Sequence, residues 1–135
     1  MSASKHTFSY RFIDDTKFIR PYISVSLHSK NGSIPSLLAL VDSGADFCMV
    51  DGALASVLDL DLSLLQQIEL SGINGSAVGY VAHLEIGVND HFIPAPVVFS
   101  FDFSPVGFGG IIGQVGFFDA FKVQFDRAHR EVHLT

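Results

Sequence analysis

The sequence predicts a mostly β domain in which helix is the minority element. Short segments rich in Val, Ile, Phe and Tyr alternate with polar residues, as half-buried strands do. Gly, Asn and Asp punctuate them, and Asn-Gly pairs at 31–32 and 74–75 favour tight hairpins because both residues tolerate positive φ. With 12 Gly, 13 Phe and no Trp, the composition suits strands and turns. A length of 135 residues is that of a single domain, 1–135, with room for one apolar core.

The elements follow in chain order. Phe8, Tyr10 and Phe12 alternate with polar neighbours, and Ile23, Val25 and Leu27 alternate with Tyr22, Ser24, Ser26 and His28, so both segments read as strands. Asn31-Gly32 turns the chain into Ile34–Val41, an apolar run that enters the core. Asp51 is an N-cap candidate for a short helix over 51–58, with Leu54, Val57 and Leu58 at helical spacing. Asn74-Gly75 predicts a second hairpin joining Ile68–Ile73 to Val78–Val88, its tip carrying Gly72, Gly75 and Gly79. After a turn at Asn89-Asp90, Pro94 and Pro96 predict either an edge strand or a late start near Val97, running to Phe101. Ile111-Ile112-Gly113 leads into a second helix over Gln114–Phe121, and Lys122–Phe125 with Glu131–Leu134 closes the chain as a hairpin.

Charge and composition exclude several classes of function. The net charge is −6 and the eight Lys and Arg are scattered, so the basic footprint of a nucleic-acid binder is missing. No stretch approaches the roughly 18 to 20 apolar residues of a membrane span, and Met1–Tyr10 lacks the apolar segment of a signal peptide. A soluble, cytoplasmic chain is expected. The single cysteine, Cys48, allows no internal disulfide, fits a reducing compartment and reads as a buried structural thiol. The Asn-Gly-Ser sequons at Asn31 and Asn74 read as turns. Apolar residues make up 48% and charged residues 16%, which leaves few polar groups to cover a monomer and predicts a buried subunit contact. His129 and His133 on a hairpin strand would stand about 13 Å apart at about 3.3 Å per residue, too far to chelate one ion. His6, His28, His83 and His91 are scattered, so no metal and no cofactor is expected.

The most informative stretch is Leu40-Val41-Asp42-Ser43-Gly44-Ala45-Asp46. It places a carboxylate directly after an apolar run, inside a tight Ser-Gly turn, where a charge is costly unless chemistry uses it. An acid-catalysed hydrolase is the leading reading. Peptide hydrolysis by carboxylates needs one ionised group to take a proton from water and one protonated group to polarise the carbonyl. A domain of this size cannot build two lobes that each supply an acid, so a second chain must supply the other.

The Asp42-Ser43-Gly44-Ala45 turn, the Gly-rich hairpin and Gly110-Ile111-Ile112-Gly113 form an ordered set. In it the sequence resembles the retropepsin-like aspartic proteases from about Tyr22 to the C-terminus. Ile111–Phe118 through Val123–Asp126 is similar to bacterial members. The resemblance implies a closed antiparallel β-barrel with one or two short helices, acting as a homodimeric aspartic endopeptidase on a peptide or protein substrate. Asp42 of each chain is then the catalytic acid, and the two must meet near an isologous two-fold axis. Ser43, Gly44 and Ala45 complete the active-site loop, with the Ser43 hydroxyl bonding across to the other subunit and Gly44 admitting the substrate backbone. Asp46 contacts substrate amides. In many retroviral members it also pairs with an Arg after the late Gly, a position held here by Gln114. Ile73, Asn74 and Gly75 supply flap backbone groups, and Phe8–Phe12 with Glu131–Leu134 correspond to chain ends that interleave between subunits. The apolar rim of Phe101, Phe103 and Phe108 around residues 104–107 reads first as core and second as subsite wall. The absent Arg keeps an alternative open: a non-catalytic dimerisation or peptide-binding module of the same fold.

Overall fold

In chain order, the strands of the computed structural model are β1 (His6–Ser9), β2 (Arg11–Phe12), β3 (Ile19–Arg20), β4 (Tyr22–His28), β5 (Ser33–Val41), β6 (Cys48–Asp51), β7 (Gln66–Gly72), β8 (Gly75–Val88), β9 (His91–Ser100), β10 (Gly110–Ile112), β11 (Val123–Asp126) and β12 (Glu131–Leu134). The structure describes residues 5–13, 17–72 and 75–135. Among these residues no helix is long and apolar enough to cross a membrane.

Strands β4, β5, β10, β6, β9 and β8 are hydrogen-bonded in that order, and β8 pairs back onto β4, so they form a ring with β7 added outside β8. The alternation in β4 places Ile23, Val25 and Leu27 inside, where they meet Val41, Val50, Ile86, Val97, Phe99, Ile112 and Phe117. Each such fully buried side chain stabilises the fold by about 1.5–3 kcal/mol relative to leaving it in water. Most pairings are antiparallel as expected, but β5–β10 and β6–β9 are parallel. Local periodicity cannot show this, because parallel partners are never joined by a short turn.

The hairpin at Asn89-Asp90 falls where that pair puts it; the first turns through a four-residue loop in which neither Asn31 nor Gly32 takes a positive φ, and in the second, residues 73–74 between the paired strands lie outside the described residues. His28 pairs with Ser33 around residues 29–32, and Gly72 pairs with Gly75. Val88 pairs with His91 across a two-residue turn in which Asn89 adopts φ 52°. β9 departs from the expected late start and runs through both prolines from His91. It is nevertheless an edge there, because β6 joins it only from Val97 to Ser100, leaving Pro94 and Pro96 paired with β8 alone. A missing N–H costs nothing on the unpaired side.

Both helices are shorter than the spacing predicts. Asp51 caps a 3-10 turn over Gly52–Ala55, its Oδ1 accepting the Ala53 N–H at 2.9 Å. The second is a wide helical turn over Gln114–Phe118, broken by extended Val115 (ψ 121°) and by Gly116 at φ 91°. The chain ends pair with each other within one chain: β1 lies antiparallel to β12, and β12 to β11, as a separate three-stranded sheet.

Candidate active site

Asp42 is the first residue past β5, and the parallel β5–β10 pairing decides what surrounds it. Ala39, Leu40 and Val41 lie opposite Gly110, Ile111 and Ile112, which brings the Ile112 carbonyl under the turn to accept the Asp42 N–H at 2.9 Å. On its other side Gly110 lets β10 lie close to β6, since a Cβ there would meet the Met49 carbonyl oxygen at 2.9 Å. Beyond Ile112 the two segments stay tied. The Gln114 N–H donates to Ala45 O at 2.9 Å, and the Val115 N–H to Asp46 O at 2.8 Å.

Within the turn, Asp42 Oδ1 accepts the Gly44 N–H at 2.9 Å. Among the described residues Oδ2 has no hydrogen-bond partner. Asp42 and Ala45 are half-buried, whereas Ser43, Gly44 and Asp46 are exposed. The carboxylate is thus fixed through one oxygen and its own backbone, with the other oxygen available to an incoming molecule.

Gln114 is more than the site of a missing Arg. Its Nε2 donates to Ser43 O at 2.7 Å and clasps the turn from the side. Sequence reasoning missed this role because the bond spans 71 positions and ends on a backbone oxygen, which no residue pattern advertises. The Asp46 carboxylate makes no ion pair among the described residues. Gly113 is a second missed contributor: a Cβ there would lie 2.5 Å from Phe47 O and 2.7 Å from Ala45 O, so only glycine lets β10 pass under the turn. Ile73 and Asn74 lie outside the described residues, while Gly75, at φ 112°, begins β8.

Cys48 sits behind the turn, 2% exposed. Burial pushes its thiol pKa up, against backbone hydrogen bonds from Gly113 and Phe117 that pull it down, so it is a packed, protonated group as expected. Phe108 packs against Tyr22 with ring centroids 5.3 Å apart, and Phe101 is exposed over Gly52.

One group away from the turn has metal-ligand chemistry. Asp126, Glu131 and His133 bring their donor atoms within 4.8 Å of one another. The hairpin register puts Asp126 opposite Glu131, which an argument from histidine spacing alone could not reveal. All three are engaged: Asp126 with His129 at 2.8 Å, and Glu131 with His133 at 3.5 Å. The His129 backbone N–H is the chief cause that holds the Asp126 pKa below its usual value.

Among solved structures, the chain is similar to a retropepsin-like aspartic protease from Rickettsia conorii, with a TM-score of 0.67 and 15% identity over 98% of this chain and 100% of that one. It is also similar to EIAV protease complexed with the inhibitor HBY-793, with a TM-score of 0.55 and 20% identity over 70% of this chain and 82% of that one. No family model and no curated protein sequence matches it. The chain therefore has the fold of the retropepsin-like aspartic proteases.

Proposed function

We propose that this chain is an aspartic endopeptidase that works as a homodimer, with Asp42 of each subunit sharing one proton across the two-fold axis. Two carboxylates brought together cannot both ionise easily, so one takes the proton of the attacking water while the other polarises the scissile carbonyl. No covalent intermediate is needed. In this reading Ser43, Gly44 and Ala45 hold the acid, Asp46 meets substrate amides, and Ile73, Asn74 and Gly75 at the end of the β7–β8 hairpin act as the flap.

The observation that carries the reading is the way Asp42 is held. Its backbone is anchored to Ile112, its Oδ1 to Gly44, and its turn to Gln114, while Oδ2 has no partner among the described residues. The acid is thus held from its backbone, one oxygen and its turn, with the second oxygen left to meet an incoming molecule, as a group that takes and gives a proton requires. The fold likeness adds support. Asp42→Asn should abolish peptide cleavage, by at least about 10³-fold, with an unchanged circular dichroism spectrum and unfolding midpoint. Cleavage that survives in a purified variant would refute the assignment.

A second reading is favoured by Gln114, which replaces the cation expected beside Asp46 and turns its amide to Ser43 instead. A dimeric peptide-binding module without turnover would bind extended peptides equally well in wild type and in Asp42→Asn.

A further inference from the structure

The β7–β8 hairpin outruns its neighbours. β8 pairs with β9 from Tyr80 to Val88 and with β4 from Glu85 to Gly87, so residues 75–79 have a strand partner, β7, on one side only. From Gly79 to Gly75 this overhang is about 13 Å long at about 3.3 Å per residue.

At its root, two side chains continue the ladder that β9 has stopped supplying. The Ser100 hydroxyl donates to Val78 O at 2.7 Å, and the Val78 N–H donates to Asp102 Oδ2 at 3.0 Å. The Asp102 N–H in turn donates to Ser100 Oγ at 3.2 Å, so the same hydroxyl accepts from the loop and gives to the hairpin. Ser100 is 1% exposed, and a hydroxyl buried to that degree is costly unless both its roles are filled. Gly79 keeps the hairpin close to β9 at this point, since a Cβ would fall 2.5 Å from Val98 Cγ1. Bonds from side chains can open here without unpairing β8 from β9.

We propose that Ser100 and Asp102 are positioning residues, a two-bond latch on Val78 that sets how readily the β7–β8 hairpin lifts over a bound peptide. The inference rests on the protease reading for its consequence, but the latch itself is measured apart from catalysis. Asp102 is exposed, so Asp102→Ala removes the acceptor with little risk to folding, and Asp102→Asn keeps an acceptor oxygen.

Amide hydrogen exchange on the whole chain is the direct readout. Val78 and the overhang amides should exchange about tenfold faster in Asp102→Ala, and Asp102→Asn should stay within about threefold of wild type. In a peptide-cleavage assay, Asp102→Ala should raise KM about three- to tenfold with kcat changed less than about twofold, and Asp102→Asn should restore KM. Unchanged exchange at Val78, acceleration spread evenly over the ring strands, or faster exchange with an unaltered KM would each overturn the proposal. If wild type cleaves and exchange does not respond, the latch fails and the protease reading stands. If exchange responds as expected and wild type cleaves no peptide, the protease reading fails instead.

Discussion

At the scale of single residues, the turn that carries Asp42 stood out in the sequence and the contacts that hold that turn did not. An acid straight after the apolar run Ile34–Val41 breaks the pattern, and a one-dimensional reading is enough to see it. Gln114 carries no such mark; as an amide it became a clasp only when β10 was laid beside β5. Gln114→Ala removes the bond to Ser43 O. Both residues are exposed, so the stability cost should be no more than about 1 kcal/mol, a fall in melting temperature of a few degrees. The effect on turnover should be larger in proportion, with kcat down about three- to tenfold and KM nearly constant, because a looser turn misplaces the acid. Steady-state kinetics beside a melting curve would separate the two; an unchanged kcat would show that the clasp is ornamental.

At the scale of elements, local chemistry predicted what is local. The turn at Asn89-Asp90 rests on a residue whose backbone preference decides the geometry, and it formed as expected, whereas the loop at residues 29–32 is four residues long and uses no positive φ at Asn31 or Gly32. The prolines of β9 gave half an answer: they marked an edge, but an edge can be the first half of a strand whose second half is central. The segment 114–121 has helical spacing, yet Gly116 at φ 91° breaks it, because the same residues must first reach back to Ala45 and Asp46. Gly113 is the element-level test of that arrangement. Its φ of −116° is open to any residue, so the cost of a side chain is purely the collision with the carbonyls of Phe47 and Ala45. Backbone cannot swing aside as a side chain can, so Gly113→Ala should destabilise by about 1–3 kcal/mol. Urea unfolding would measure this, and a loss below about 0.5 kcal/mol would mean that the turn does not depend on the close crossing.

At the scale of the whole molecule, ring closure was the least visible feature in the sequence, since it depends on two parallel pairings between strands distant along the chain. The order of motifs made up for this only because it resembled a family whose closure was implied. The apolar surplus in the composition is visible on the surface, where Phe12, Leu64, Phe101 and Val106 remain exposed. The proposed homodimer has a consequence that neither subunit alone can produce. If each active centre needs Asp42 from both chains, a chain carrying Asp42→Asn should poison a wild-type partner. After subunits have been allowed to exchange, random pairing with an equal amount of the variant leaves half of the wild-type chains with an inactive partner. Cleavage per wild-type chain should therefore fall to about one half, and to about one quarter at a threefold excess of the variant. Simple competition for substrate would vanish at saturating peptide, whereas poisoning would persist. Activity per wild-type chain that stayed constant at every ratio would mean that one carboxylate suffices, and the shared-proton mechanism would have to be abandoned.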